Sequence, residues 1–170
     1  MDLANLVRDV PDFPVEGVLF KDITTLLRRP DAFREAVDAL AARFADKRID
    51  QVVAIESRGF VFGAPLAYKL GAGFVPVRKP GKLPAKTISR EYSLEYGTNT
   101  LEMHVDAIDP GQRVLLVDDL LATGGSARAA VDLVERLGGV VVGAAFLIEL
   151  EFLQGAKKLE GYDVFSLIRF

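Results

Sequence analysis

The sequence predicts an α/β protein built on a mainly parallel central β-sheet flanked by helices. Two observations carry this expectation. Short apolar runs rich in β-branched residues, such as Val52-Val53-Ala54-Ile55 and Val114-Leu115-Leu116-Val117, lack polar alternation, which is the pattern of strands buried on both faces. Between such runs lie segments whose apolar residues recur every three or four positions, so strands and helices alternate along the chain. That alternation yields parallel sheets joined by helical crossovers.

In chain order, Phe33, Ala36, Val37, Leu40, Ala41 and Phe44 place one apolar stripe on a helix from about Asp31 to Ala45, with Pro30 and Asp31 suited to its start. Val52 to Ile55 is a strand, being too short for a helix. Phe60 to Leu70 reads as a helix ended by Gly71, and Phe74-Val75-Pro76-Val77 as the next strand. Arg78 to Gly97 is rich in Pro, Gly, Lys and Ser without a sustained period, and reads as a long loop with room for a hairpin at its base. Leu101 to Val105 is a short strand that carries His104, to which no role is assigned. Arg113 to Val117 is a buried strand, followed by Gly124-Gly125 and a helix to about Leu137 that stops at Gly138-Gly139. Val140 to Ile148 and Val164 to Ile168 supply the last strands. Ligands of such sheets sit beyond the carboxyl ends of the strands.

Composition bounds the function. With 170 residues, half of them hydrophobic, the chain is expected to form a single domain with one sizeable core. There is no cysteine and only one histidine, so disulfides and thiolate metal sites are excluded and a histidine-based zinc site is disfavoured. A formal net charge of −3 argues against a general grip on nucleic acid. No apolar run approaches a membrane span and the first residues lack signal-peptide character, so a cytoplasmic location is expected.

The most informative segment is Asp118-Asp119-Leu120-Leu121-Ala122-Thr123-Gly124-Gly125-Ser126, directly after the strand ending at Val117. Paired carboxylates are good acceptors for the two hydroxyls of a ribose, and can order magnesium-bound water. Glycines let backbone amides approach a phosphate, Thr123 and Ser126 add hydroxyl donors, and the next helix presents its positive end. Acid for the sugar and amides for the phosphate describe a ribose 5-phosphate site. A lone Gly-Gly would be an ordinary turn, but two acids, two hydroxyls and two glycines in register after a buried strand are more specific. No G-x-G-x-x-G follows a strand, and Gly81-Lys82 fails as a Walker loop because Leu83 replaces the hydroxyl residue.

Val114 to Ser126 resembles the phosphoribosyl-pyrophosphate loop of the type I phosphoribosyltransferases. Phe13-Pro14, Gly17 to Ile23, Glu56 to Phe60, Arg78 to Pro84 and Tyr92 to Gly97 resemble, in that order, the adenine-specific branch of that family. The resemblance implies the type I phosphoribosyltransferase fold, with a small hood over residues 1–30 and a flexible catalytic loop over 78–100. It implies transfer of the phosphoribosyl group of phosphoribosyl pyrophosphate to adenine in purine salvage, yielding AMP and pyrophosphate, with Mg2+ as cofactor and a homodimer as assembly.

By the same resemblance, Asp118, Asp119, Ala122, Thr123, Gly124, Gly125 and Ser126 bind the donor, and Arg58, Arg78, Lys79 and Lys82 meet its pyrophosphate. Glu95, Tyr96 and Arg58 are the catalytic set: a carboxyl at Glu95 handles the proton lost by adenine, and Tyr96 closes over the reaction centre. Val18, Leu19, Phe20 and Lys21 form the adenine site, with Glu149, Leu150 and Phe152 as an opposite wall. Lys21 stands where the family usually has arginine, which weakens any guanidinium stacking at that position. Two alternatives stay open: transfer to xanthine or hypoxanthine, and a non-catalytic sensor of phosphoribosyl pyrophosphate. An intact Glu95-Tyr96 segment and the lack of an added basic domain disfavour the sensor.

Overall fold

The structure is a computed structural model that describes residues 1–94 and 96–170. The chain opens with a 3₁₀ turn, Leu3–Leu6, and a short antiparallel hairpin of β1 (Arg8–Val10) and β2 (Phe20–Asp22). Helices α1 (Thr24–Leu27) and α2 (Pro30–Phe44) lead into β3 (Gln51–Ile55), α3 (Arg58–Leu70) and β4 (Gly73–Val77). A second hairpin, β5 (Thr87–Ser93) and β6 (Thr98–His104), precedes β7 (Arg113–Leu121), α4 (Gly125–Arg136), β8 (Val140–Glu149) and β9 (Val164–Arg169).

The central sheet has five strands in the order β4-β3-β7-β8-β9, every pair parallel. Its three inner strands, β3, β7 and β8, are buried on both faces along most of their length, and successive residues feed opposite cores. Val52, Ala54, Leu115, Val117, Ala145 and Leu147 pack with α2 and α3, whereas Val53, Ile55, Val114, Leu116, Ala144 and Phe146 pack with α4 and the β5–β6 hairpin. This two-sided burial explains the unbroken apolar runs in the sequence.

Strand order also places the site. From β3 the chain turns outward to β4, and from β7 it turns the other way to β8, so the two connections diverge between adjacent strands. A crevice opens at such a switch point, beyond the carboxyl ends of β3 and β7. Residues 56–58 and 118–126 lead from those two ends.

Three expectations need correction. The expected loop from Arg78 to Gly97 is largely strand from Thr87, because β5 is exposed along much of its length and shows no clean apolar alternation. Helix α3 begins at Arg58 rather than Phe60. Strand β7 runs four residues beyond Val117, since Asp118, Leu120 and Leu121 stay in register with Phe146, Ile148 and Glu149 of β8. The loop proper is therefore only Ala122 to Gly124. Among the described residues no helix is long and apolar enough to cross a membrane.

Candidate active site

At the end of β3 the chain passes from Glu56 through Ser57 into α3, which sets Arg58 on the helix's first turn. Two glycines one helical turn apart bring this helix unusually close to the sheet. A Cβ on Gly59 would lie 2.9 Å from Asp118 Oδ1, and one on Gly63 would lie 2.6 Å from Ala54 Cβ. Close approach lets Arg58 Nε donate to Asp119 Oδ2 at 2.6 Å. Its guanidinium carbon also lies 5.6 Å from the centre of the Phe20 ring, within cation–π range. One arginine thus touches both the acidic strand end and the N-terminal hairpin.

Asp118 and Asp119 sit in the floor of the crevice, and Asp119 is only 6% exposed. Burial and the adjacent Asp119 carboxylate push the Asp118 carboxyl well above its ordinary value. For Arg58, burial opposes the charge, but Asp119 and Asp118 outweigh it and raise the pKa.

Two adjoining hollows share Arg58, Asp118, Asp119 and Ser126. One, of about 200 Å³, follows the strand end and loop through Ala122, Thr123 and Gly124. The other, of about 350 Å³, is bounded by Glu56, Ser57, Lys79, Tyr92 and Asn99. At their junction α4 starts on Gly124, which has φ +86 and offers no side-chain cap, so the first-turn amides keep their hydrogen-bonding capacity for an incoming anion.

Glycine at 124 also answers a steric constraint. A Cβ there would lie 2.5 Å from the carbonyl oxygen of Gly155, and Gly155 is in turn packed against the Ala122 carbonyl. The loop is braced from behind by backbone. Gly125 faces Tyr92, whose ring would be 3.0 Å from an added Cβ, so it forms part of the wall between the loop and the second hairpin.

The basic residues after β4 are already engaged. Glu56, with 8% of its side chain exposed, receives Lys82 Nζ at 2.9 Å and the Lys79 backbone N–H at 2.7 Å, and lies 3.4 Å from Arg78 Nε. Burial alone would raise the Glu56 pKa, but Lys82, the Lys79 amide and Arg78 together lower it. Lys79 is left lining the larger hollow.

Among the sequence-derived candidates, the fold brings together Arg58, Asp118, Asp119, Ala122, Thr123, Gly124, Ser126 and Lys79, with Gly125 in the wall. Phe20 joins them through Arg58. Tyr96 is 88% exposed and lines neither hollow. Val18 and Leu19 are also exposed, and Phe13 N–H donates to the Val18 carbonyl at 3.1 Å. The Lys21 ammonium is held by Asp9 at 2.6 Å and lies 4.0 Å from the Phe170 ring centre, and it lines neither hollow. Phe152 is exposed, while Leu150 is bound through its N–H to Leu121 at 3.0 Å. Glu95 lies outside the described residues. His104 Nε2 accepts from the Ala85 N–H at 3.3 Å.

Comparison with known proteins fits this geometry. Residues 22–168 match the family model described as the phosphoribosyl transferase domain. An adenine phosphoribosyltransferase of Thermotoga sp. (strain RQ2) is 60% identical over 99% of both chains. The chain belongs to the adenine phosphoribosyltransferases of the type I phosphoribosyltransferase family. Crystal structures agree: that of the Thermoanaerobacter pseudethanolicus family member superposes with a TM-score of 0.97 at 57% identity, covering 99% of this chain and 98% of that one. The Saccharomyces cerevisiae member, complexed with adenine and an imino-altritol bisphosphate, gives 0.91 at 45% identity, covering 98% and 96%. The five-stranded parallel sheet flanked by helices is the type I phosphoribosyltransferase fold.

Sequence reasoning passed over Glu56 and Tyr92 within motifs it quoted, and Gly155 altogether. An acid at the carboxyl end of β3 was a readable signal by the same rule that located Asp118. For Gly155 the signal is a contact with a loop some thirty residues earlier, which no local pattern encodes.

Proposed function

We propose that this protein transfers the 5-phosphoribosyl group of phosphoribosyl pyrophosphate to adenine, forming AMP and pyrophosphate in purine salvage. The observation that carries the reading is Arg58, which links the acidic strand end through Asp119 to the N-terminal hairpin through Phe20. A donor subsite and an acceptor subsite then share one cation. Asp118 and Asp119 accept from the ribose hydroxyls, and the amides of Thr123 to Ser126 bind the 5-phosphate. Arg58 and Lys79 face the pyrophosphate. Val18 to Lys21 read the base, with the Phe20 ring as an apolar wall.

During transfer the bond from the anomeric carbon to the pyrophosphate oxygen breaks, and the electron pair leaves with pyrophosphate. A bond to N9 of adenine forms and the N9 proton is lost. The protein's task is to orient the two partners, hold the leaving group's charge and exclude water. Glu95 receives or relays the N9 proton and Tyr96 covers the centre; both belong to this proposal on resemblance alone.

Magnesium fits as a passenger on the substrate. Among the described residues no cluster of three acids or histidines could cage a cation, yet Asp118 and Asp119 offer oxygen acceptors to its bound water. The ion supplies charge neutralisation for the pyrophosphate when bound. A homodimer through the β4 edge completes the proposal, since Phe74 and Tyr68 expose apolar surface beside that strand; a cytoplasmic setting accords with the absence of cysteine.

The test is an absorbance assay with phosphoribosyl pyrophosphate, magnesium and each purine in turn. Adenine should turn over fastest. Faster conversion of hypoxanthine or xanthine would reject the base assignment, and tight donor binding with no turnover of any purine would favour the sensor.

A further inference from the structure

Behind the phosphate loop lies a third hollow, bounded by Arg90, Tyr92, Gly125, Arg128 and Asp132 among others, which no step above uses. It marks the seam between the β5–β6 hairpin and α4. On β5 the alternate residues Ile88, Arg90 and Tyr92 share one face, and Ile88 and Tyr92 pack into the core beneath α4. The place between two packed residues on that face is held by an arginine. On α4, Gly125, Arg128 and Asp132 recur at helical spacing and share the opposing face.

The two faces meet in register. Tyr92 lies against Gly125, Arg90 Nε pairs with Asp132 Oδ2 at 3.2 Å, and Arg136 Nη1 donates to the Ser89 carbonyl at 2.7 Å. Strand and helix thus meet at Gly125, Asp132 and Arg136 along α4. Asp132 is the centre of the seam. Its side chain is 20% exposed, and its other oxygen accepts from Arg128 Nε at 3.1 Å and Arg128 Nη2 at 2.8 Å. Arg128 also lies 4.0 Å from Glu135 on its own helix and 5.5 Å from the centre of the Tyr162 ring, in the turn before β9, which holds it in place. Asp132 therefore ties an exposed arginine on the hairpin to an arginine held on the helix.

We propose that Asp132 is a positioning residue for the transfer reaction. By latching Arg90 to α4, it sets the register in which Tyr92 closes the larger hollow against Gly125, at the helix end that carries the phosphate loop. The pair of contacts couples the placement of the hairpin to the placement of the loop. Purely apolar packing would hold the hairpin but would tolerate sliding, because apolar contacts have no direction. The charged pair does not. The kinetic consequence rests on the proposed phosphoribosyl transfer; the structural consequence does not.

Amide hydrogen exchange on the intact protein, alongside steady-state kinetics, tests both. Arg90 is exposed, and among the described residues its side chain pairs only with Asp132, so Arg90→Gln removes the latch without disturbing α4. Arg90→Gln and Asp132→Asn should each speed exchange of the β5 and β6 amides by roughly two- to fivefold, with β3 and β7 unchanged, as fits loss of an ion pair at a local opening. The double variant should add little to either single one. In the same variants kcat should fall by a similar factor, with the KM for phosphoribosyl pyrophosphate shifting about twofold or less, and Asp132→Glu should recover most of the loss. Unchanged hairpin exchange, or independent addition in the double variant, overturns the latch. Faster exchange with kcat intact overturns the positioning role. If the unaltered protein makes no AMP, the transfer reading fails, and the exchange results still decide the latch.

Discussion

Gly155→Ala is the sharpest perturbation available, because it adds a single carbon outside the cleft. Gly155 is buried and starts the 3₁₀ turn Gly155–Leu159. The new Cβ would stand 3.0 Å from the Gly124 nitrogen and 3.1 Å from the Ala122 carbonyl carbon, and closer still to the Ala122 oxygen. These are backbone atoms, so no side-chain rotation relieves the overlap. Restoring ordinary contact requires the two segments to part by about 1 Å. Such a displacement of the amides that open α4 should lower kcat/KM for phosphoribosyl pyrophosphate by about 10²-fold. Overpacking should cost about 1–3 kcal/mol of stability. Calorimetric titration of the donor, steady-state kinetics and a thermal melt separate the two effects. Gly161→Ala is the control, since Gly161 has φ +92 but open space around it, so strain there should leave donor kinetics untouched. A folded Gly155→Ala protein with wild-type donor affinity and kcat/KM would refute the claim that Gly155 braces the loop.

Asp118→Asn should trade activity for stability: the carboxyl's pKa is raised by burial and by Asp119, so its ionisation is a cost that grows as pH rises. The variant should be more stable than the wild type on the alkaline side and no more stable in acid, as read by urea titrations across pH, while transfer is lost. Asp22 behaves oppositely, since the Thr24 amide and hydroxyl, with Arg8, hold it at about 2 against an ordinary 3.8. Its contribution is present above about pH 4 and is lost as pH falls through about 2, so Asp22→Asn should cost about 1–2 kcal/mol at pH 6 and converge with the wild type in strong acid. Glu95→Ala should lower kcat by about 10²-fold or more with donor Kd nearly unchanged, the signature of a proton-handling group; equal losses in both would reject that role.

The central sheet was readable because strands buried on both faces leave unbroken apolar runs, and β3, β7 and β8 are such strands. The hairpins were not. β1 and β2 are three residues each, β1 mostly exposed and β2 half-buried, and they pair Arg8 with Asp22 and Asp9 with Lys21, a charge pattern without hydrophobic period. β5 exposes most of its residues and carries an arginine between the two apolar residues of its packed face, so it reads as loop. The extension of β7 was masked by the chemistry it carries. Asp118 and Asp119 are poor strand formers, yet β8 runs alongside as far as Glu149 and supplies the partners that keep them extended.

Charge was legible by type and illegible by pairing. Arg58, Arg78, Lys79 and Lys82 read as cations awaiting a polyanion, but the fold commits Arg58 to Asp119 and both Arg78 and Lys82 to Glu56. Four unpaired cations in one crevice would repel each other and weaken the folded state. The observed pairing also bears on the proposed reaction. Arg58 has half its side chain exposed, so drawing it from Asp119 toward phosphate oxygens costs on the order of 1 kcal/mol. Asp119 is nearly buried and would be costly to leave alone. A ribose hydroxyl arriving with the same donor satisfies it. Cation and carboxylate can then exchange partners in one event, and neither passes through an unpaired buried state. A ligand that carried phosphate without the sugar hydroxyls would strip Arg58 from Asp119 and repair only one of them. Pyrophosphate alone should therefore bind far more weakly than the full donor, beyond what its missing phosphate contacts explain.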